Sequence, residues 1–169
     1  MSDYVDKMRE ITLSNLDDGI IDYYVDRHGT QRGMGQCING YNLDAIERAL
    51  DEVSDITGIV FNEVDAERGS ELSFHKVDDF TNWGMADNVK GIAAYAKDEE
   101  RNHVYWEPSY HHSYSELVIY HELGHTLGLT HPEDPFTTHS KDDVMGYLFS
   151  GGSTQYSDLN ICNLNQIYG

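Results

Sequence analysis

Between positions 121 and 131 the chain reads His-Glu-Leu-Gly-His-Thr-Leu-Gly-Leu-Thr-His. On a helix, side chains four positions apart lie one turn above each other, so His121 and His125 project from one face. Two imidazoles held that way can share one metal ion, and Glu122, beside the first, comes round to the open side of it. Gly128 lets the chain leave the helix, because glycine accepts the positive φ that a helix C-terminus often needs. The turn brings His131 back as a third nitrogen. A lone His-x-x-x-His pair is common on helices and says little, whereas His, Glu, His, Gly and His fixed at five offsets point to zinc. Three protein ligands and a water make a catalytic zinc, while a structural zinc is closed by four. Such an ion lowers the pKa of its water from about 15.7 to near 7 and polarises a carbonyl. Glu122, turned toward that water, is then the base that takes its proton and passes it to a leaving amine.

A set of elements must hold these residues. Ser113 followed by Glu116 matches a capping box and opens the histidine helix, in which Ile119, Leu123 and Leu127 face a sheet. Upstream, residues 20–26 are β-branched and aromatic and read as a first strand. From Asn42, a plausible cap, to about Thr57, Leu43, Ile46, Leu50 and Val53 recur at helical spacing, and Gly58 stops the helix. Four short strands follow over 59–64, 71–77, 91–97 and 102–107, the last closed by Pro108. From Ser157, Leu159, Ile161, Leu164, Ile167 and Tyr168 suggest a terminal helix. The glycine-rich segment 29–35 lacks the strand-to-helix setting of a phosphate loop and reads as a plain loop.

The run from His121 to His131 is similar to the long zinc-binding motif of the metzincin endopeptidases. Such enzymes also carry a methionine turn beneath the metal, and Asp143-Val144-Met145-Gly146-Tyr147 follows at a suitable distance. Pro132 after the third histidine and Tyr147 two places after the methionine resemble the serralysin family in particular. Residues 49–64 and the closing Asn165-Gln166-Ile167-Tyr168-Gly169 are similar to it as well, so the resemblance runs from about Ile20 to Gly169.

That resemblance implies an α+β zincin fold: a twisted, mostly parallel five-stranded sheet with two helices, above a small lower subdomain with the methionine turn and a C-terminal helix. Residues 20–169 are then a catalytic domain, divided into an upper part 20–131 and a lower part 132–169. Segment 1–19 is a tail or a short latency segment. The implied activity is zinc-dependent endopeptidase action on peptides or proteins. His121, His125 and His131 would bind Zn2+, Glu122 would activate the water, and Tyr147 would assist the oxyanion. Met145 would support the site as a packing residue. Metzincin substrates pair with an edge strand, a case of β-augmentation, which assigns main-chain hydrogen bonds to Ala93, Ala94 and Tyr95.

A length of 169 residues with 39% hydrophobic residues suits one domain with a real core. A net charge of −19 argues against binding a nucleic-acid backbone. No apolar run approaches the roughly 20 residues needed to cross a bilayer, and the first residues lack the basic start and apolar block of a secretory signal. These features predict no membrane partner and leave cytoplasmic, particle-associated and signal-independent exported locations open. Serralysins usually extend into calcium-binding glycine-aspartate repeats, but the sequence contains no such repeat and no Asp-x-Asp-x-Asp-Gly loop, so Ca2+ has no support. Cys37 and Cys162 pair only if their Cα atoms come within about 7 Å, and free thiols are expected. His28, His75, His103 and His139 carry no usable ligand spacing, and His111 and His112 read as loop residues. The rival reading is a docking component of a larger assembly, such as a virus particle, in which an inherited zinc is only structural. Against it stand Glu122 and Tyr147, which a structural zinc does not need.

Overall fold

The computed structural model describes residues 18–30, 35–108, 112–131, 143–146 and 155–169. Most of the expected tail, together with His111, Pro132, His139 and Tyr147, lies outside the described residues.

The fold is α+β, with a five-stranded, mostly parallel sheet and three helices, in keeping with a metzincin-type architecture. The strands are β1 (Ile20–Val25), β2 (Val60–Glu63), β3 (Leu72–Lys76), β4 (Gly91–Ala96) and β5 (Arg101–Trp106). Across the sheet they run β2-β1-β3-β5-β4. Only β4 is antiparallel, pairing with β5 in the register Ala93 to Val104. It lies at one edge of the sheet, as expected for residues 91–97. The remaining pairs are parallel, and the crossovers they require are carried by helices and long loops.

The helices are α1 (Gly40–Thr57), α2 (His112–Thr126) and α3 (Asp158–Tyr168). Helix α1 is capped by Asn39, three residues before the expected cap Asn42, with the Asn39 side chain accepting the Asn42 N–H at 3.0 Å. Asn42 itself is buried inside the helix. The helix ends as expected at Gly58, whose φ of 76° closes a left-handed cap. Helix α2 starts one residue before the expected capping serine, so Ser113 sits within the first turn, and Glu116 accepts a hydrogen bond from Arg48 of α1 at 2.8 Å. Helix α3 is capped by Ser157 and Asn160 reciprocally. Leu164 is its buried apolar anchor, while Leu159 in the first turn remains 55% exposed.

The main core lies between the sheet and helices α1 and α2. Phe74, Val104 and Trp106 from β3 and β5 meet Ile119, Leu123 and Leu127, all buried as the helical spacing predicts. Each such side chain contributes about 1.5–3 kcal/mol relative to exposure. Helix α2 is buried on nearly every side because α1 covers the side that the sheet does not. The opposite sheet face carries a smaller cluster of Val77, Phe80 and Tyr105 beneath a 3-10 turn at Phe80–Trp83.

Candidate metal centre

The last turn of α2 and the chain just beyond it bring three imidazoles to one point. His121 Nε2 lies 3.1 Å from His131 Nε2 and 3.1 Å from His125 Nε2, and His125 Nε2 lies 3.0 Å from His131 Nε2. Gly128 makes this convergence local: its φ of 94° turns the chain so that Leu129 N–H returns to Gly124 O at 2.9 Å. His131 follows two residues later, on the same side as the helical pair.

The second ring nitrogens fix which lone pairs point inward. His121 Nδ1–H donates to Val144 O at 2.7 Å, and His125 Nδ1–H donates to Leu129 O at 2.9 Å. Both Nε2 atoms are therefore left unprotonated and facing the third histidine. Burial, together with His125 nearby, holds His121 down to about 3. Burial and His125 likewise hold His131 down to about 4, and burial lowers His125 too. All three are neutral at pH 7, which is the form a metal ion binds. Tetrahedral zinc with bonds near 2.0–2.1 Å needs its nitrogens about 3.3 Å apart, so the donor set fits the ion.

Glu122 stands beside this trio and belongs to a different environment. Burial pushes its carboxyl up to about 8, against a hydrogen bond from the Ala93 N–H that favours the ionised form. The carboxylate is thus tied to the edge strand. In an antiparallel ladder, hydrogen-bonded pairs alternate. Glu107 N–H donates to Lys90 O at 3.1 Å, so Ile92, Ala94 and Ala96 turn their backbone groups toward β5. Ala93 and Tyr95 turn theirs the other way, toward the outer edge. Gly91 is required for the approach of strand and helix: a Cβ there would stand 2.4 Å from Val118 Cγ1 and 2.7 Å from Glu122 Oε1.

Against the same helix, Met145 is fully buried in the turn at 143–146. Its sulfur occupies the space that Gly124 leaves, 2.5 Å from where a Cβ would be. The turn is held by Asp143, whose side chain accepts the Met145 N–H at 2.9 Å, and Asp143 also accepts from Ser157 Oγ at 3.4 Å, linking the turn to the cap of α3. The direct hold on the histidines, Val144 O on His121, had no signal in the sequence, because a carbonyl has no residue signature.

Cys37 and Cys162 are both free and exposed. Among the described residues no helix is long and apolar enough to cross a membrane. His75 and His103, without usable spacing in the sequence, are brought together with Glu67 on the outer face of the sheet.

With this geometry in place, comparison with known proteins adds two likenesses. The chain is 30% identical over 144 residues to serralysin of Proteus mirabilis, covering 72% of this chain and 28% of that one. It is 36% identical over 138 residues to interstitial collagenase A of Mus musculus, covering 73% of this chain and 26% of that one. The chain therefore spans little more than a quarter of the length of these relatives. No family model matches it. The two likenesses support the metalloprotease family without singling out a member of it.

Proposed function

We propose that the chain is a zinc-dependent endopeptidase of serralysin-like type, with residues 20–131 and 132–169 forming the two sides of its cleft. The observation that carries this reading is the convergence of three neutral imidazole nitrogens at 3.0–3.1 Å beside a buried carboxylate. His121, His125 and His131 would hold the ion. When bound, zinc acidifies a water and polarises the scissile carbonyl.

The chain's own groups do the rest. Glu122 takes the proton of the attacking water and carries it to the leaving amine. Its raised affinity for a proton suits that second role, while a cation held by the histidines favours the ionised form needed for the first. The Ala93 N–H holds the carboxylate in place through both. An extended peptide lies along the outer edge of β4 and pairs with the backbone of Ala93–Tyr95. Ala93 and Tyr95 face that edge, and Ala94 between them keeps the strand on β5. Tyr147, by its offset from Met145, is the oxyanion donor. Met145, packed into the space that Gly124 leaves, supports the histidine helix as a packing residue.

The test is digestion of a denatured protein such as casein by the zinc-loaded chain, with and without a chelator. Cleavage that the chelator abolishes and added zinc restores is the expected result. Stoichiometric zinc with no cleavage of casein or of a peptide library overturns the reading.

A further inference from the structure

A second group of donors lies on the opposite face of the sheet, where none of the chemistry above uses it. His75 on β3 and His103 on β5 are both buried. The strands run parallel in the register Ser73 to His103, which places His75 diagonally above its partner. His75 Nε2 lies 3.2 Å from His103 Nδ1. Glu67, from the loop between β2 and β3, brings Oε1 to 3.0 Å from His75 Nε2 and 3.7 Å from His103 Nδ1.

The outer nitrogens are already engaged. His75 Nδ1 lies 3.2 Å from Asp26 Oδ2, a carboxylate that also accepts the Thr30 N–H and hydroxyl. Although burial alone would raise Asp26, the hydrogen bonds from Thr30 and His75 outweigh it and hold the carboxyl below its usual range. His103 Nε2 lies 3.1 Å from Glu99 Oε2, which also accepts from Arg101. Each imidazole thus has a carboxylate at its outer nitrogen and turns its other nitrogen toward Glu67. Glu67 Oε1, buried beside these two nitrogens and 3.7 Å from Arg101 Nη1, completes a group of three donor atoms close enough to share one ion. Such a convergence is repulsive unless a positive charge sits within it. One proton satisfies a single contact, whereas a metal ion satisfies all three.

The geometry points to a second metal site, in which Glu67, His75 and His103 bind a zinc-class divalent ion. Donor separations of 3.0–3.7 Å bracket the ~3.3 Å of a tetrahedral site. The Asp26 and Glu99 partners supply the carboxylate–histidine support that metal-bound imidazoles usually carry. Two nitrogens and one carboxylate select a borderline transition ion over calcium, which takes oxygen ligands. A cleft of about 270 Å³, lined in part by Glu67, Glu99 and His103, leaves room for a water as fourth ligand. The ion ties the loop before β3 to β3 and β5, next to the strand that the peptide is proposed to use. This site is independent of the peptidase reading and stands or falls without it.

The experiment is a zinc count by native mass spectrometry and elemental analysis on the full chain, dialysed against micromolar zinc chloride. Wild type is expected to carry two ions. Glu67→Gln, a change at a partly exposed side chain, is expected to carry one firmly and to bind the other at least tenfold more weakly. His125→Asn is expected to lose the other ion, and Glu67→Gln/His125→Asn to lose both, with circular dichroism confirming that each variant is folded. A single ion in folded wild type that His125→Asn loses and Glu67→Gln and His103→Asn keep overturns the site and leaves a proton between the rings. Two firm ions in both Glu67→Gln and His103→Asn would place the second ion elsewhere and overturn it equally.

Discussion

Gly91→Ala probes how the edge strand holds the proposed base. The new Cβ would stand 2.7 Å from Glu122 Oε1, 2.8 Å from Glu122 Cγ and 2.4 Å from Val118 Cγ1. Ordinary contacts between carbon atoms run at about 3.5–4.0 Å, so the Glu122 side chain must retreat by about 1 Å or the strand must lift by as much. A displacement of that size at a reacting group costs about 10²-fold in rate, or about 2.7 kcal/mol of barrier. Overpacking costs a further 1–3 kcal/mol or so of stability. The zinc count at the three histidines should not change, because the three atoms nearest the new Cβ belong to Val118 and Glu122. The assay is kcat/KM on a quenched fluorescent peptide at saturating zinc, with urea unfolding and metal analysis on the same samples. Gly40→Ala is the control, since a Cβ there meets nothing within 4 Å. A Gly91→Ala enzyme within about threefold of wild type, folded and zinc-loaded, would refute the claim that Gly91 spaces Glu122.

Other perturbations follow from the packing. Gly124→Ala collides with Met145 Sδ, and the overpacking cost of about 1–3 kcal/mol exceeds the helix-propensity gain of about 1 kcal/mol. Met145→Ala removes that collision, so a double-mutant cycle in urea should show coupling of at least about 1 kcal/mol, and additivity would refute the contact. Tyr156 Oη donates to Tyr120 O at 2.9 Å within the core, so Tyr156→Phe should cost about 1 kcal/mol in the same assay. Burial raises the Tyr120 phenol to about 12 and raises Tyr156 well above 10. Because the folded values exceed the unfolded one, their contribution to stability is whole below pH 10 and declines as pH rises from 10 toward 12. An ultraviolet titration should show these two phenols ionising only as tertiary structure is lost. Their reversible ionisation near pH 10 in folded protein would contradict that.

The convergence of the three histidines was legible because it is local: a helical repeat of four and a glycine-made turn bring all three together within eleven consecutive residues. The mostly parallel sheet and the edge position of 91–97 came from resemblance, since periodicity marks strands but not their neighbours. The second cluster stayed hidden for the same reason. His75 and His103 meet only through the register of β3 on β5, and Glu67 arrives from a loop with no pattern of its own. The cap of α1 moved from Asn42 to Asn39 because either asparagine satisfies the local rule, and in the fold Asn39 makes the capping hydrogen bond while Asn42 is buried within the first turn. Leu159 fits the apolar spacing of α3 yet faces out, while Asn160, occupied in the cap, takes the buried place.

The central claim is that Glu122 performs proton transfer beside a zinc held by His121, His125 and His131. Its most direct test is peptide hydrolysis by Glu122→Gln and wild type at equal, verified zinc occupancy. The account predicts unchanged zinc at the three histidines and a loss of about 10²–10⁴-fold in kcat/KM, the usual worth of a general acid–base group. A zinc-loaded Glu122→Gln enzyme that cleaves as fast as wild type would contradict it.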